Sequence, residues 1–427
     1  MMRENIIPAG MAQDSAESRV TPTRLQRFAR RQLVSRMARL EHGALEVHDG
    51  EGMLRFGEDR EGAGLRARIE VLHPQFWADA VFGGTTGAGE AYIHGLWKCD
   101  DLTALVRMMV ANRHVLEEVD GAATRFAALG RRLGHWLNRN SRAGSRRNIS
   151  AHYDLGNDFF ALFLDPTMNY SSGIFETPDA TMEEASIAKM DAACRKLDLQ
   201  PGDHLLEIGT GWGGLAIHAA GRYGCRVTTT TISKEQHALA AQRIRDAGLE
   251  DRIELLLCDY RDLEGQYDKL VSIEMIEAVG HQFLDTYFRA CSRLLKPDGL
   301  MLLQAITIRD EHYEQALKSV DFIQRFVFPG GFLPSVSAMS ASLARSGDLQ
   351  MLHLQDIGLH YATTLSRWRE RFFENVEAVR ALGYPDSFIR LWEYYLCYCE
   401  GAFLERNIGN VQVLLAKPRN RRASLGY

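Results

Sequence analysis

Hydrophobic positions along this chain change their period more than once, and each change predicts a different kind of element. From Pro22 to Leu40, Leu25, Phe28, Leu33, Met37 and Leu40 recur at helical spacing among Arg24, Arg27, Arg30, Arg31, Arg36 and Arg39, which predicts a basic helix without acids. Alternating runs then predict strands at Ala44 to Val47 and Met53 to Phe56, joined through Asp49-Gly50, with a third at Leu65 to Leu72. His73 to Arg113 turns helical around the glycine-rich break Gly83 to Gly89. Beyond residue 200, strand-length apolar or β-branched runs alternate with helical ones: His204 to Ile208, Arg226 to Thr230, Ile253 to Cys258, Lys269 to Ile273, Gly299 to Ile306 and Val411 to Ala416. Such alternation predicts an α/β fold built on a mostly parallel, doubly wound sheet, preceded by a smaller mixed α/β domain.

Length and composition place these elements in domains. A chain of 427 residues exceeds one typical domain. We expect an unstructured segment at 1–20, an N-terminal domain at 21–130, a basic linker at 131–150 and a catalytic domain at 151–427, with an insertion at about 312–361. The linker carries Arg131, Arg132, Arg139, Arg142, Arg146 and Arg147 around Trp136. Lys and Arg total 50 against 55 Asp and Glu, a net charge of -5, so no global field favours nucleic acid. Seven cysteines without a CxxC pair argue against a zinc site or a secreted disulfide scaffold, and no metal is expected. No run of eighteen apolar residues occurs, so the expectation is a cytoplasmic protein, soluble or peripheral to the membrane.

The densest chemistry lies in Leu205 to Gly214, where an apolar strand ends at Glu207 and runs into Gly209, Gly211, Trp212 and Gly213 before a helix restarts. Glycines there permit a sharp turn and close approach of a ligand to the helix N-terminus. A dinucleotide site would place an acid at the end of the next strand, but that strand reads Arg226-Val-Thr-Thr-Thr-Thr-Ile-Ser233. With the acid before the glycines instead, the loop resembles the first motif of class I S-adenosylmethionine (SAM) methyltransferases, a Rossmann-like fold.

Further motifs make the resemblance specific. His152 to Phe160, Met168 to Phe175, Thr231 to Gln236, Asp259 to Arg261, Glu274 to Gly280, Phe328 to Pro334, His360-Tyr361 and Tyr394 to Phe403 occur in an order that resembles the cyclopropane-fatty-acyl-phospholipid synthase family and its mycolic acid relatives. The resemblance implies that Tyr170, Ser171, Glu207, Gly209, Gly211, Trp212, Gly213, Thr231, Ile232, Gln236, Asp259, Tyr260 and Arg261 surround SAM. It implies methyl transfer to a cis double bond of an unsaturated phospholipid acyl chain. The resulting carbocation closes a cyclopropane after bound bicarbonate takes a proton. Glu277, Tyr361 and the Ile306 backbone match the bicarbonate site. Two positions depart from the commoner pattern: Ser172 stands for cysteine and Gln304 for histidine, leaving anion binding and the choice between ring and branched chain open. Cys399 lies in the C-terminal motif, where a small core residue is the favoured reading over a nucleophile.

An acyl chain must leave the bilayer to be modified, so the basic helix and linker are expected to hold the enzyme on the inner face of an anionic membrane. A second copy of the chain, in a homodimer, is a further expected partner. Two other readings remain: a small-molecule N-methyltransferase, which gives no reason for the extra domain, and an inactive lipid carrier, against which Glu207, Glu277 and Tyr361 count.

Overall fold

The computed structural model describes residues 21–58, 64–114 and 155–421. The segment at 1–20 and the linker arginines therefore lie outside the described residues, as does the start of the His152 to Phe160 motif. The chain divides into two compact units.

The first unit opens with the predicted basic helix, Arg24–Met37, whose N-terminus is closed by a reciprocal capping box between Thr23 and Gln26. A four-stranded sheet follows, in the order β2 (Gly52–Phe56), β1 (Ala44–Asp49), β3 (Arg66–Val71), β4 (Trp97–Cys99). The short β4 escapes sequence reading because three residues show no period. Helices Gln75–Ile93 and Leu102–Ala111 complete the N-terminal part, and Gly84 (φ 60°) breaks the first of them where the glycine run predicts.

Ser319–Pro329 and Val376–Glu405 also belong to this unit, so one cut between an N-terminal and a C-terminal domain does not describe the chain. Packing explains why they return. Phe322 sets its ring 4.6 Å from that of Tyr394, and Gly401 on helix Asp386–Leu404 approaches Val106 so closely that a Cβ there would lie 2.8 Å from its Cγ1. The aromatic segment Phe322 to Pro334, read as part of an insertion, is divided between the units at residue 330.

The second unit holds a seven-stranded sheet in the order β10 (Gln350–Asp356), β11 (Ile408–Ala416), β9 (Leu295–Ile308), β8 (Tyr267–Ile273), β5 (His204–Ile208), β6 (Arg226–Thr231), β7 (Ile253–Leu257). Only β11 runs against its neighbours. The supposed insertion thus contributes β10, an edge strand with no buried residue, whose sequence lacks the run of strand-forming residues that marks the others. Strand residues alternate between two cores: Leu206, Met301 and Leu303 face one, Leu205, Leu300 and Leu302 the other. Helices therefore cover both faces. From β5 the chain winds outward through β6 and β7, then returns to start β8 on the other side. This reversal opens a crevice at the carboxyl ends of β5 and β8, where such sheets bind ligands.

Candidate active site

Loops at the carboxyl ends of β5, β6 and β7 carry the residues expected around the cofactor. After β5, Gly209, Gly211 and Gly213 all take positive φ (103°, 53° and 85°), conformations that side chains disfavour, and the chain turns into helix Gly214–His218. Glu207 is buried at the end of β5 and accepts from Thr229 Oγ1 at 2.5 Å. Burial pushes its carboxyl up to about 8, against the opposing pull of that hydroxyl and of Lys189. Thr231 donates to Gln236 Oε1 at 2.9 Å, with Ile232 half-buried beside it. Past β7, Asp259 binds Arg261 through both carboxylate oxygens (2.8 and 2.6 Å), and the guanidinium lies 5.5 Å over the Tyr260 ring.

Aromatic residues cluster next to the glycine loop, where Phe160 meets Trp212 at 5.0 Å. Tyr170 stacks on Trp368 at 5.1 Å and meets Phe160 edge-on at 5.2 Å. Tyr361 contacts Trp368 at right angles. Trp212, by contrast, is a core residue, with its indole N–H on Asn157 at 2.7 Å and its ring against Phe160.

Glu274, a buried acid within a motif of the resemblance but assigned no role by it, bonds to several of these residues. Glu274 directly follows β8, and its backbone N–H donates to Gln304 O at 2.8 Å. Strand register does the rest: Ile273 pairs with Gln304 on β9, Gln304 with Gln412 on β11, and Asn410 stands two residues away. Glu274 Oε1 consequently accepts from Gln304 Nε2 (2.7 Å), Asn410 Nδ2 (2.6 Å) and the Ser172 backbone N–H (3.1 Å). Oε2 accepts from Tyr361 Oη at 2.8 Å. Gln304 is itself oriented by Gln412 Nε2, which donates to its Oε1 at 2.9 Å.

Glu274 also holds φ 48°. A left-handed backbone costs about 1–3 kcal/mol for such a residue and persists where surrounding contacts over-determine it. Four donors on one carboxylate supply those contacts.

Glu277 sits differently. Its Oε1 accepts from the Ile306 N–H at 2.5 Å, while Oε2 has no partner among the described residues. Burial, followed by the adjacent Glu274 charge, pushes its carboxyl up to about 8. Burial raises Glu274 as well, but its four hydrogen bonds oppose the rise. Of this coupled pair, Glu274 carries the charge and Glu277 the proton, because donors stabilise the ionised form. Lys189 lies nearby, buried on helix Met182–Leu197, where it donates to Ser171 Oγ (2.9 Å) and Asn169 Oδ1 (3.0 Å); burial pulls its ammonium below the usual range, against the attraction of Glu274, Asp165 and Glu207.

The structure therefore gathers Tyr170, Ser171, Ser172, Gln304, Ile306, Tyr361 and Glu277 in one unit, but it hangs Tyr361, Gln304 and the Ser172 amide on Glu274 rather than Glu277. Cys399 belongs to the other unit, and burial pushes its thiol well above the usual range. Glu274, Asn410, Lys189 and Trp368 are the residues that sequence reading missed. Glu274 lies in a quoted motif, three residues before Glu277, and nothing in spacing ranks the two acids. Asn410 precedes the predicted start of its strand.

The residues present suit SAM: glycine-loop amides, Glu207, Thr231, Gln236 and the Tyr170–Trp368 cluster would hold it, and it would supply an electrophilic methyl on a sulfonium. They do not suit bicarbonate. Every donor that would bind it is already used, three by Glu274 and the Ile306 amide by Glu277. Of the groups expected to bind it, Glu277 Oε2 is the one left without a partner among the described residues, too little to hold a second anion beside a buried carboxylate.

Strand order, the glycine loop after β5 and the crevice beside it define a class I, Rossmann-like methyltransferase. The mycolic acid cyclopropane synthetase family profile matches residues 140–413, more than half of the chain. Tuberculostearic acid methyltransferase UfaA1 of Mycobacterium tuberculosis is 39% identical over 75% of this chain and 76% of its own length. Cyclopropane-fatty-acyl-phospholipid synthase of Escherichia coli K12 is 37% identical over 82% and 88% respectively. Among solved structures, mycolic acid cyclopropane synthase CmaA1 complexed with SAH and CTAB is 36% identical, with a TM-score of 0.60, covering 64% of this chain and 98% of that one. This chain belongs to the cyclopropane synthase family and is a SAM-dependent methyltransferase.

Proposed function

We propose that the enzyme transfers a methyl(ene) group from SAM to the cis double bond of an unsaturated phospholipid acyl chain and closes a cyclopropane ring. The observation that carries this reading is a buried carboxylate, Glu274, held by four hydrogen-bond donors in the same unit as the Tyr170–Trp368 aromatic cluster. An unactivated alkene is a poor nucleophile, so its methylation requires water to be excluded and positive charge stabilised. Tyr170, packed against Phe160 and Trp368, belongs to an aromatic cluster suited to excluding water, and a tyrosine ring can stabilise a nearby cation. Glu274 and its donors hold a negative charge that needs no reorganisation when the cation forms. No step is assigned to bicarbonate.

A second reading, in which the cation yields a methyl-branched or methylene-bearing chain, is favoured by the 39% identity to a protein named for tuberculostearic acid methylation. Mass spectrometry of phospholipids from cells expressing the enzyme separates the readings. A gain of one methylene unit that resists hydrogenation supports the ring, and one that hydrogenates to a branched chain supports the second reading. Absence of any gain overturns both.

Access to the bilayer falls to the first unit. Helix Arg24–Met37 exposes Leu25 (55%) and Phe28 (45%) beside the exposed Arg24, Arg27 and Arg31. Apolar residues flanked by arginines suit an anionic lipid surface, where each arginine contributes about 1 kcal/mol. No helix of the described residues is long and apolar enough to cross a membrane. We place the enzyme peripherally on the cytoplasmic face.

A further inference from the structure

We propose that the Glu274 carboxylate is the base of this reaction, built into the chain where the family resemblance implies bound bicarbonate. The inference rests on acyl-chain methylation as the activity.

Its first support is donor for donor. Tyr361, Gln304 and the Ser172 amide, the groups expected around a free anion, converge on Glu274, and Asn410 joins them. The pocket therefore already contains its anion, attached at the end of β8. A second support is the backbone those contacts hold. Glu274 is held at φ 48°, a backbone that glycine adopts freely, so the carboxylate sits there against local preference. A third is lone-pair geometry. Three donors crowd Oε1, whereas Oε2 accepts from Tyr361 among the described residues, leaving a lone pair on that oxygen. A carboxylate with so many donors is a weak base. A carbocation is so strong an acid that a weak base suffices.

The step balances without a further reactant. The alkene π pair forms the bond to the SAM methyl while the carbon–sulfur bond breaks, its electron pair staying on sulfur to leave neutral S-adenosylhomocysteine. The cation then loses a proton to Glu274 Oε2. The electron pair of the broken C–H bond closes the ring when the proton comes from the new methyl, or forms a double bond when it comes from a chain carbon. Glu274, now a neutral acid, returns its proton to solvent before the next turnover.

The test uses the full-length enzyme, SAM and vesicles of dioleoylphosphatidylglycerol, in buffer freed of carbon dioxide and in the same buffer with bicarbonate added. Wild-type rates should agree within about twofold between buffers, and Glu274→Gln should be slower by about 100-fold or more in both. Glu274→Gly relieves the left-handed backbone and empties the pocket, so it folds even if the glutamine variant does not. It should be equally slow without bicarbonate and recover about tenfold or more when bicarbonate or formate fills the space. Calorimetric SAM affinity should be unchanged in both variants. Loss of wild-type activity on removing bicarbonate, or full activity in Glu274→Gly without it, overturns the inference alone. If the wild type adds no mass to the acyl chains in either buffer, the methylation reading falls and the inference with it.

Discussion

Two glutamates three residues apart divide the labour at the site according to how many donors each meets. Glu274 has four and stays ionised; Glu277 has one and keeps its proton. Removing a donor from Glu274 should raise its pKa, since a hydrogen bond to a charged group is worth about 1.5–3 kcal/mol. Tyr361→Phe is thus expected to lower turnover about 10- to 100-fold near neutral pH and to move the acid limb of the kcat profile upward, with SAM affinity intact. A kcat profile identical to wild type would show that Tyr361 does not act on the base. Glu277 yields a stability prediction. Its folded value of about 8 exceeds the ordinary 4.5, so the neutral form is favoured by folding, and its stabilisation is full below about 4.5 and is lost as pH rises through about 8. Glu277→Gln removes that dependence. The difference in melting temperature between wild type and variant should shift against wild type from pH 5 to pH 9, and a constant difference would contradict the assignment. Sequence reading reached Tyr361, Gln304 and Ser172 and grouped them with Glu277 around a bound anion, whereas in the structure they donate to Glu274. Both glutamates lie in one short motif, and only the side-chain donors distinguish them.

At the scale of elements, runs of apolar and β-branched residues located β5, β6, β7, β8, β9 and β11 to within a few residues, because such side chains suit the pleated surface of a sheet. They missed β4 and β10, a three-residue strand and an exposed edge that carry no such mark. The glycine loop belongs to this scale too. Gly209 takes φ 103°, and a Cβ there would meet Met275 Cβ and Cγ at 3.3 Å, next to Glu274. Gly209→Ala should therefore cost about 1–3 kcal/mol in stability and weaken SAM binding about tenfold or more. Denaturant unfolding and calorimetry measure the two effects, and a variant indistinguishable from wild type in both would mean the loop is not under this constraint.

For the whole molecule, the basic helix must act against a net charge of -5. Replacing Arg24, Arg27 and Arg31 with glutamate should abolish cosedimentation with anionic vesicles, reversing about 1 kcal/mol of attraction at each position, while activity on detergent-dispersed lipid survives. Unchanged cosedimentation would move membrane binding elsewhere on the chain. By itself the sequence determined the fold class, the cofactor loop and the reaction family, since periodicity, glycine placement and ordered motifs are local properties of the chain. Tertiary structure alone decided which segments return to the first unit, that the supposed insertion supplies a sheet strand, and which glutamate carries the charge. Those outcomes depend on strand register and helix packing between residues far apart in sequence, such as Ser172, Glu274, Gln304, Tyr361 and Asn410, whose meeting no local pattern encodes.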